Sequence, residues 1–128
     1  MSKLVFPAVS APGDPGYTYI HFAFADLTPS FTVDVSKVQD QFDGFKKLSG
    51  PKKIISFGGW EFSNTQASYA VCRNMVSTEL NRQKAARNII RFITEHNLDG
   101  VDFDWEYPGV SLLFPCKDTL SWLGTQSD

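Results

Sequence analysis

The stretch Asp99-Gly-Val-Asp-Phe-Asp-Trp-Glu-Tyr-Pro108 constrains the fold more than any other part of the chain. Acidic and large apolar side chains alternate through it with a period of two, which is the period of a β-strand and not of a helix. Asp102, Asp104 and Glu106 therefore share one face of a strand read over residues 100–107, and Val101, Phe103 and Trp105 take the other. The apolar set needs cover, so this strand packs beneath helices. The acidic set then lines the inside of a barrel or the floor of a cleft. Three carboxylates in a row on a shielded face cannot all carry charge without a large penalty. Repulsion and desolvation push one of them toward holding a proton near neutral pH, as a general acid must. Glu106 comes last, at the C-terminal end of the strand, where barrels of parallel strands carry their active sites.

Two plainer readings compete. A solvated edge strand would also tolerate a row of acids, but Phe103 and Trp105 between them call for a covered sheet. A calcium loop begins with acids at alternate positions too. Here the loop glycine is absent, the intervening residues are aromatic and no glutamate closes the loop, so no metal is expected. A purely structural row is disfavoured as well, because apolar replacements would usually be more stable.

The rest of the chain supplies the setting. Residues 1–16 are rich in Pro, Gly and Ser and read as an irregular segment ending in Pro12-Gly-Asp-Pro-Gly16. Tyr17 to Ala25 is aromatic and β-branched without a polar face, the pattern of a strand buried on both sides. Ser36 with Gln39 forms a capping box that opens a helix carrying Val38, Phe42, Phe45 and Leu48, stopped by Gly50 and Pro51. Lys53 to Phe57 is a second buried strand, halted by Gly58-Gly59-Trp60 and followed by a polar loop. A longer helix spans about Thr78 to His96, with Ala86, Ile89, Ile90 and Ile93 inward and Arg82, Lys84 and Arg91 toward water. Strand, helix, strand, helix, strand is the order of parallel βαβ units. Residues 110–128 show no period, and loop, strand and irregular chain all stay open for them.

Composition narrows the function. With 128 residues, 42% apolar and 20% charged, the chain can bury the core of one globular domain. A net charge of −2 offers no case for nucleic acid or an anionic membrane. No apolar run approaches the roughly 20 residues that span a bilayer. Met1 to Ala11 is faintly like a signal peptide, but Pro7 interrupts an apolar stretch that is already short, so none is assigned. Cys72 and Cys116 fit no metal spacing and read as two unpaired thiols.

Three motifs together resemble a known family. Asp99-x-x-Asp102-x-Asp104-x-Glu106 is similar to the signature of family 18 chitinases, and Ser56-Phe-Gly-Gly-Trp60 to their companion motif. Thr18-Tyr-Ile-His-Phe-Ala-Phe-Ala25 resembles the preceding strand of the same family. The surrounding wording is most similar to fungal chitinases of the killer-toxin-like group, and the resemblance covers roughly residues 17–109. It implies an α/β fold, a (β/α)8 TIM barrel of which the three strands here would be the second, third and fourth. Such a barrel takes about 250 residues, so the expectation is a partial barrel truncated at both ends. In this reading 1–16 is an irregular N-terminal segment, 17–109 the partial catalytic domain and 110–128 a divergent tail.

The resemblance also implies a mechanism in which the substrate supplies its own nucleophile. Glu106 would protonate the glycosidic oxygen and later activate water. Asp104 would orient the sugar's 2-acetamido group, Asp102 would share a proton with Asp104, and Ser56 would hydrogen-bond within that stack. Tyr107, Gly58, Gly59 and Trp60 would border the sugar, with Asp99 as a structural residue at the strand entrance. Trp60 is read equally as core packing, Trp105 as an outward core residue, and His21 as a core histidine without catalytic work. The implied substrate is chitin or N-acetylglucosamine oligosaccharides, cleaved without a cofactor by an enzyme that the intact family secretes. An endo-β-N-acetylglucosaminidase, a sugar-binding protein without catalysis and an inert fragment remain as alternatives. Lectin-like members usually lose the terminal glutamate, which here is present as Glu106.

Overall fold

A computed structural model describes residues 17–109. The readings made for residues 1–16, for the tail from 110 onward and for Cys116 lie outside the described residues. Strand β1 is Tyr19–Leu27, β2 is Val33–Asp34, β3 is Lys52–Gly58 and β4 is Gly100–Asp104. Helix α1 is Gln39–Lys46, α2 Gly59–Asn64, α3 Tyr69–Ser77 and α4 Glu79–Glu95. The sheet runs β2-β1-β3-β4. β1, β3 and β4 are parallel neighbours, because a helical crossover separates each from the next. The short β2 pairs antiparallel to the end of β1 and had no signal in the sequence.

One face of the sheet carries the core. Phe22, Ile55 and Phe57 point into it and meet Phe42, Phe45, Ala85 and Ile89 from the helices. The Phe22 and Phe42 rings meet edge-on at 5.4 Å, a favoured aromatic geometry. The opposite face, with Tyr19, His21 and Ala23 of β1, is open to water, so β1 is covered on one side and not on both. Cys72 is a buried free thiol on α3, and desolvation pushes its pKa up.

Local chemistry explains four further departures from the sequence reading. The Ser36–Gln39 capping box does not form: the Asp34 carboxylate accepts the Ser36 N–H at 2.8 Å, and Gln39 donates to Asp43 instead. Asp34 is a charged acceptor two residues upstream, a stronger partner for the Ser36 N–H than the Gln39 amide oxygen, and the hydrogen bonds from Ser36 hold its pKa down. The segment after Trp60 is not a loop but α2 and α3, which bury only Gly59 and Ser63 from α2 and Val71, Cys72 and Met75 from α3. Helix α4 begins at the Thr78 cap, whose hydroxyl accepts the Asn81 N–H, but its buried stripe is Ala85 and Ile89 with Phe92 and Ile93 beside them. Ala86 and Ile90 instead border an open apolar groove of about 310 Å³ with Met75, Val101 and Phe103. β4 is an edge strand among the described residues, so Val101 and Phe103 are more than a third exposed rather than roofed by helices.

Candidate active site

The open face of the sheet assembles the residues that the sequence singled out. Parallel register sets Ser56 of β3 directly beside Asp102 of β4, and Gly58 beside Asp104. Since Asp102 and Asp104 are two apart, both carboxylates leave the strand on this face, along with Ser56 and His21. Ser56 is only 2% exposed, and its hydroxyl lies 3.2 Å from His21 Nδ1. The same nitrogen is 3.5 Å from Asp102 Oδ2, with the two side chains about half exposed. The acid row is thus less shielded than its sequence suggested, being walled on one side and open on the other.

β4 ends at Asp104, two residues short of Glu106. The ladder stops there because its partner β3 ends at Gly58, which faces Asp104. Beyond that point α2 takes over the backbone. Ser63 Oγ accepts the Glu106 N–H at 3.1 Å, and Asn64 Nδ2 donates to the Glu106 carbonyl at 3.3 Å and to the Trp60 carbonyl at 2.8 Å. Ser63 is itself buried. Glu106 therefore sits on a turn whose main chain is held on both sides of its Cα. Nothing in the sequence distinguished Ser63 and Asn64 from other polar residues of that segment; once α2 is known, the four-residue step explains why Asn64 reaches the Trp60 carbonyl.

The paired glycines have a reason that involves the protein's own backbone. A Cβ on Gly58, at φ 110°, would lie 2.2 Å from the Asp104 carbonyl oxygen. A Cβ on Gly59, at φ 76°, would lie 2.9 Å from the Phe24 ring. Only glycine allows β3 to turn into α2 this close to β4. The turn leaves Trp60 62% exposed at the C-terminal end of β3, and Tyr107, more than half exposed, follows β4 at the same end. Trp60 is thus no core residue. Trp105 turns the other way, with the Arg73 guanidinium of α3 6.0 Å from its ring centre.

Asp99 stands apart, at the N-terminal entrance of β4. Its carboxylate accepts the Lys53 N–H at 2.7 Å and its own N–H donates to the Lys53 carbonyl at 2.8 Å, which ties β3 to β4. His21, read from the sequence as a core histidine, lies instead among the acids. The alternation through β1 gave its parity with Tyr19 and Ala23, but not that this parity faces the carboxylates. Among the described residues no group of three or more His, Cys, Asp or Glu is placed to hold a metal ion.

Comparison with known proteins gives the family. Residues 7–122 match the family described as Glycosyl hydrolases family 18. Over 94 residues the chain is 47% identical to the secreted chitinase LysM12 of Penicillium expansum, covering 72% of this chain and 6% of that protein. It is 42% identical over 107 residues to the killer toxin subunits alpha/beta of Kluyveromyces lactis, covering 84% of this chain and 9% of that one. The crystal structure of the immunomodulatory active chitinase from Trichuris suis superposes with a TM-score of 0.57 at 33% identity, over 71% of this chain and 25% of that chain. The three parallel strands are thus part of a (β/α)8 barrel, and the chain spans less than a tenth of the two curated relatives.

Proposed function

Because the chain belongs to glycosyl hydrolase family 18, we propose that its acid row serves the hydrolysis of β-1,4-linked N-acetylglucosamine polymers by a retaining, substrate-assisted reaction. Glu106 is the general acid: it protonates the glycosidic oxygen as the bond breaks and then takes a proton from the incoming water. The attack on the anomeric carbon comes from the substrate's own acetamido oxygen, so no second enzymic nucleophile is needed. Asp104 orients that acetamido group and offsets the positive charge that develops on it. Asp102, held beside Ser56, shares a proton with Asp104. Trp60 and Tyr107 offer exposed aromatic surface at the strand ends, suited to the apolar face of a sugar ring.

The observation that carries this reading is the register itself. Ser56 lies beside Asp102 and Gly58 beside Asp104 on one open face, with Glu106 just past the strand end on a clamped turn. A sugar-binding role without catalysis is less well supported, because Glu106 is retained. One relative carries the description secreted, and we infer export for the protein that bears this domain.

The test is a hybrid in which residues 17–109 replace the matched segment of LysM12. It should release chitin oligosaccharides whose newly formed end is initially the β-anomer, observed by NMR during hydrolysis. Initial formation of the α-anomer would exclude substrate assistance, and a correctly folded hybrid without turnover would exclude the catalytic assignment.

A further inference from the structure

Among the described residues, His21 is an ionisable side chain that lies against the acid row and that the proposed reaction leaves without work. Its Nδ1 faces two oxygens, Ser56 Oγ at 3.2 Å and Asp102 Oδ2 at 3.5 Å. Titratable groups on this face, among the described residues, include Tyr19 one step back along β1, Lys52 over the Tyr19 ring, and Asp104 one step on from Asp102. Lys52 of β3 lies over the Tyr19 ring, and from β1 it is His21 that reaches Asp102. The Asp102 oxygen that does not hold the proton shared with Asp104 can only accept hydrogen bonds, so a ring nitrogen that bonds to it carries the hydrogen.

We propose that His21 is a positioning residue: its Nδ1–H, shared between Asp102 Oδ2 and Ser56 Oγ, fixes the rotamer of Asp102 at the base of the acid row. The hydroxyl of Ser56, nearly fully buried, cannot swing away to solvent, so it holds the ring from the other side. Asp102 is then locked in a single orientation beneath Asp104 before substrate arrives. Second-tier hydrogen bonds of this kind set the direction in which a reacting carboxylate points. The role rests on the chitinase reading of Asp102 and Asp104, but the contact itself can be tested without any turnover.

Only two histidines occur in the chain, His21 and His96, so ring nitrogen signals are readily assigned with a His96→Gln variant. Long-range proton–nitrogen NMR of the 128-residue chain at neutral pH should show His21 as the Nδ1–H form. That signal should move in Asp102→Asn and in Ser56→Ala, and stay put in Asp40→Asn, a distant exposed control. An Nε2–H form, or an Nδ1 signal indifferent to Asp102→Asn while the amide spectrum shows the fold intact, would overturn the contact. In the hybrid, His21→Asn places an amide nitrogen where Nδ1 stood and should keep most of kcat, whereas His21→Gln and His21→Ala should lower kcat about tenfold with KM little changed, the scale of other supporting hydrogen bonds behind reactive groups. Equal losses in Asn and Gln variants would refute positioning through Nδ1. An inactive parent hybrid would count against the proposed function and leave the NMR result standing.

Discussion

Replacing Gly58 by alanine separates two contributions that are usually entangled. Gly58 and Gly50 have nearly the same backbone torsion, φ 110° and 108°, in a region that side-chain-bearing residues rarely enter. A methyl group on Gly50 meets nothing within 4 Å, so Gly50→Ala loses only the conformational strain, about 1–3 kcal/mol. On Gly58 the same methyl would lie 2.2 Å from the Asp104 carbonyl oxygen and 2.8 Å from its carbon. Those are main-chain atoms of β4 and have no rotamer by which to give way. Overpacking of that sort adds about 1–3 kcal/mol or more, so Gly58→Ala should exceed Gly50→Ala by about 2 kcal/mol. Gly59→Ala should fall between them, because its obstacle is the Phe24 ring, which can turn. Urea unfolding of dilute protein, followed by far-ultraviolet circular dichroism, measures all three. Hydrogen exchange should show the extra loss concentrated in the amides of β4. Equal destabilisation by Gly58→Ala and Gly50→Ala would refute the close approach of β3 to β4, and with it the geometry of the acid row.

Three smaller perturbations follow from the same contacts. Asp34→Ala removes the acceptor of the Ser36 N–H and should cost about 0.5–1 kcal/mol at neutral pH, as the loss of one exposed hydrogen bond does. Since folding lowers the Asp34 pKa, its contribution is complete above the ordinary carboxylate range and fades as pH falls through the lowered folded value, so wild type and variant should converge in acid unfolding titrations. With Cys116→Ser in place, the Cys72 thiol, its pKa raised by burial, should react with a disulfide reagent at pH 8 at least about tenfold more slowly than in urea. Ser63→Ala takes away the acceptor of the Glu106 N–H; it should cost about 1 kcal/mol in urea unfolding and lower kcat of the hybrid more than it raises KM.

Much of this arrangement could be read from the residues because a strand has a strict parity. The acids of β4, the inner position of Ser56 and the outward turn of Trp105 all follow from counting by twos, and the span of α4 from its helical period. Parity does not say what lies against a face. For that reason His21 could be placed in β1 but not beside Asp102, and Val101 and Phe103 could be paired but not known to be uncovered. In the inner stripe of α4, Ile89 and Ile93 were read correctly and Ala86 and Ile90 were not, because Ala85-Ala86 and Ile89-Ile90 are adjacent like pairs and the helical period does not choose between their members. α2 and α3 were hidden by their polar composition. What makes α2 matter to the site is a hydroxyl and an amide that hold the Glu106 turn across 43 and 42 residues of sequence, a contact that local pattern cannot report.

The central claim, that Glu106 delivers the proton while Asp104 directs the acetamido group, is tested most directly by comparing leaving groups in the hybrid. Glu106→Gln keeps the shape of the side chain but cannot give up a proton, so cleavage of unactivated chitin oligosaccharides should fall by about two to four orders of magnitude, with binding retained. An aryl leaving group needs little protonation, so the bond-breaking step of Glu106→Gln, read as the burst of released phenol, should recover in large part. Asp104→Asn should slow both substrates and recover much less, because orienting the acetamido group matters whatever leaves. The account predicts this difference between the two variants. Equal recovery of both, or a Glu106→Gln enzyme fully active on unactivated oligosaccharides, would contradict it.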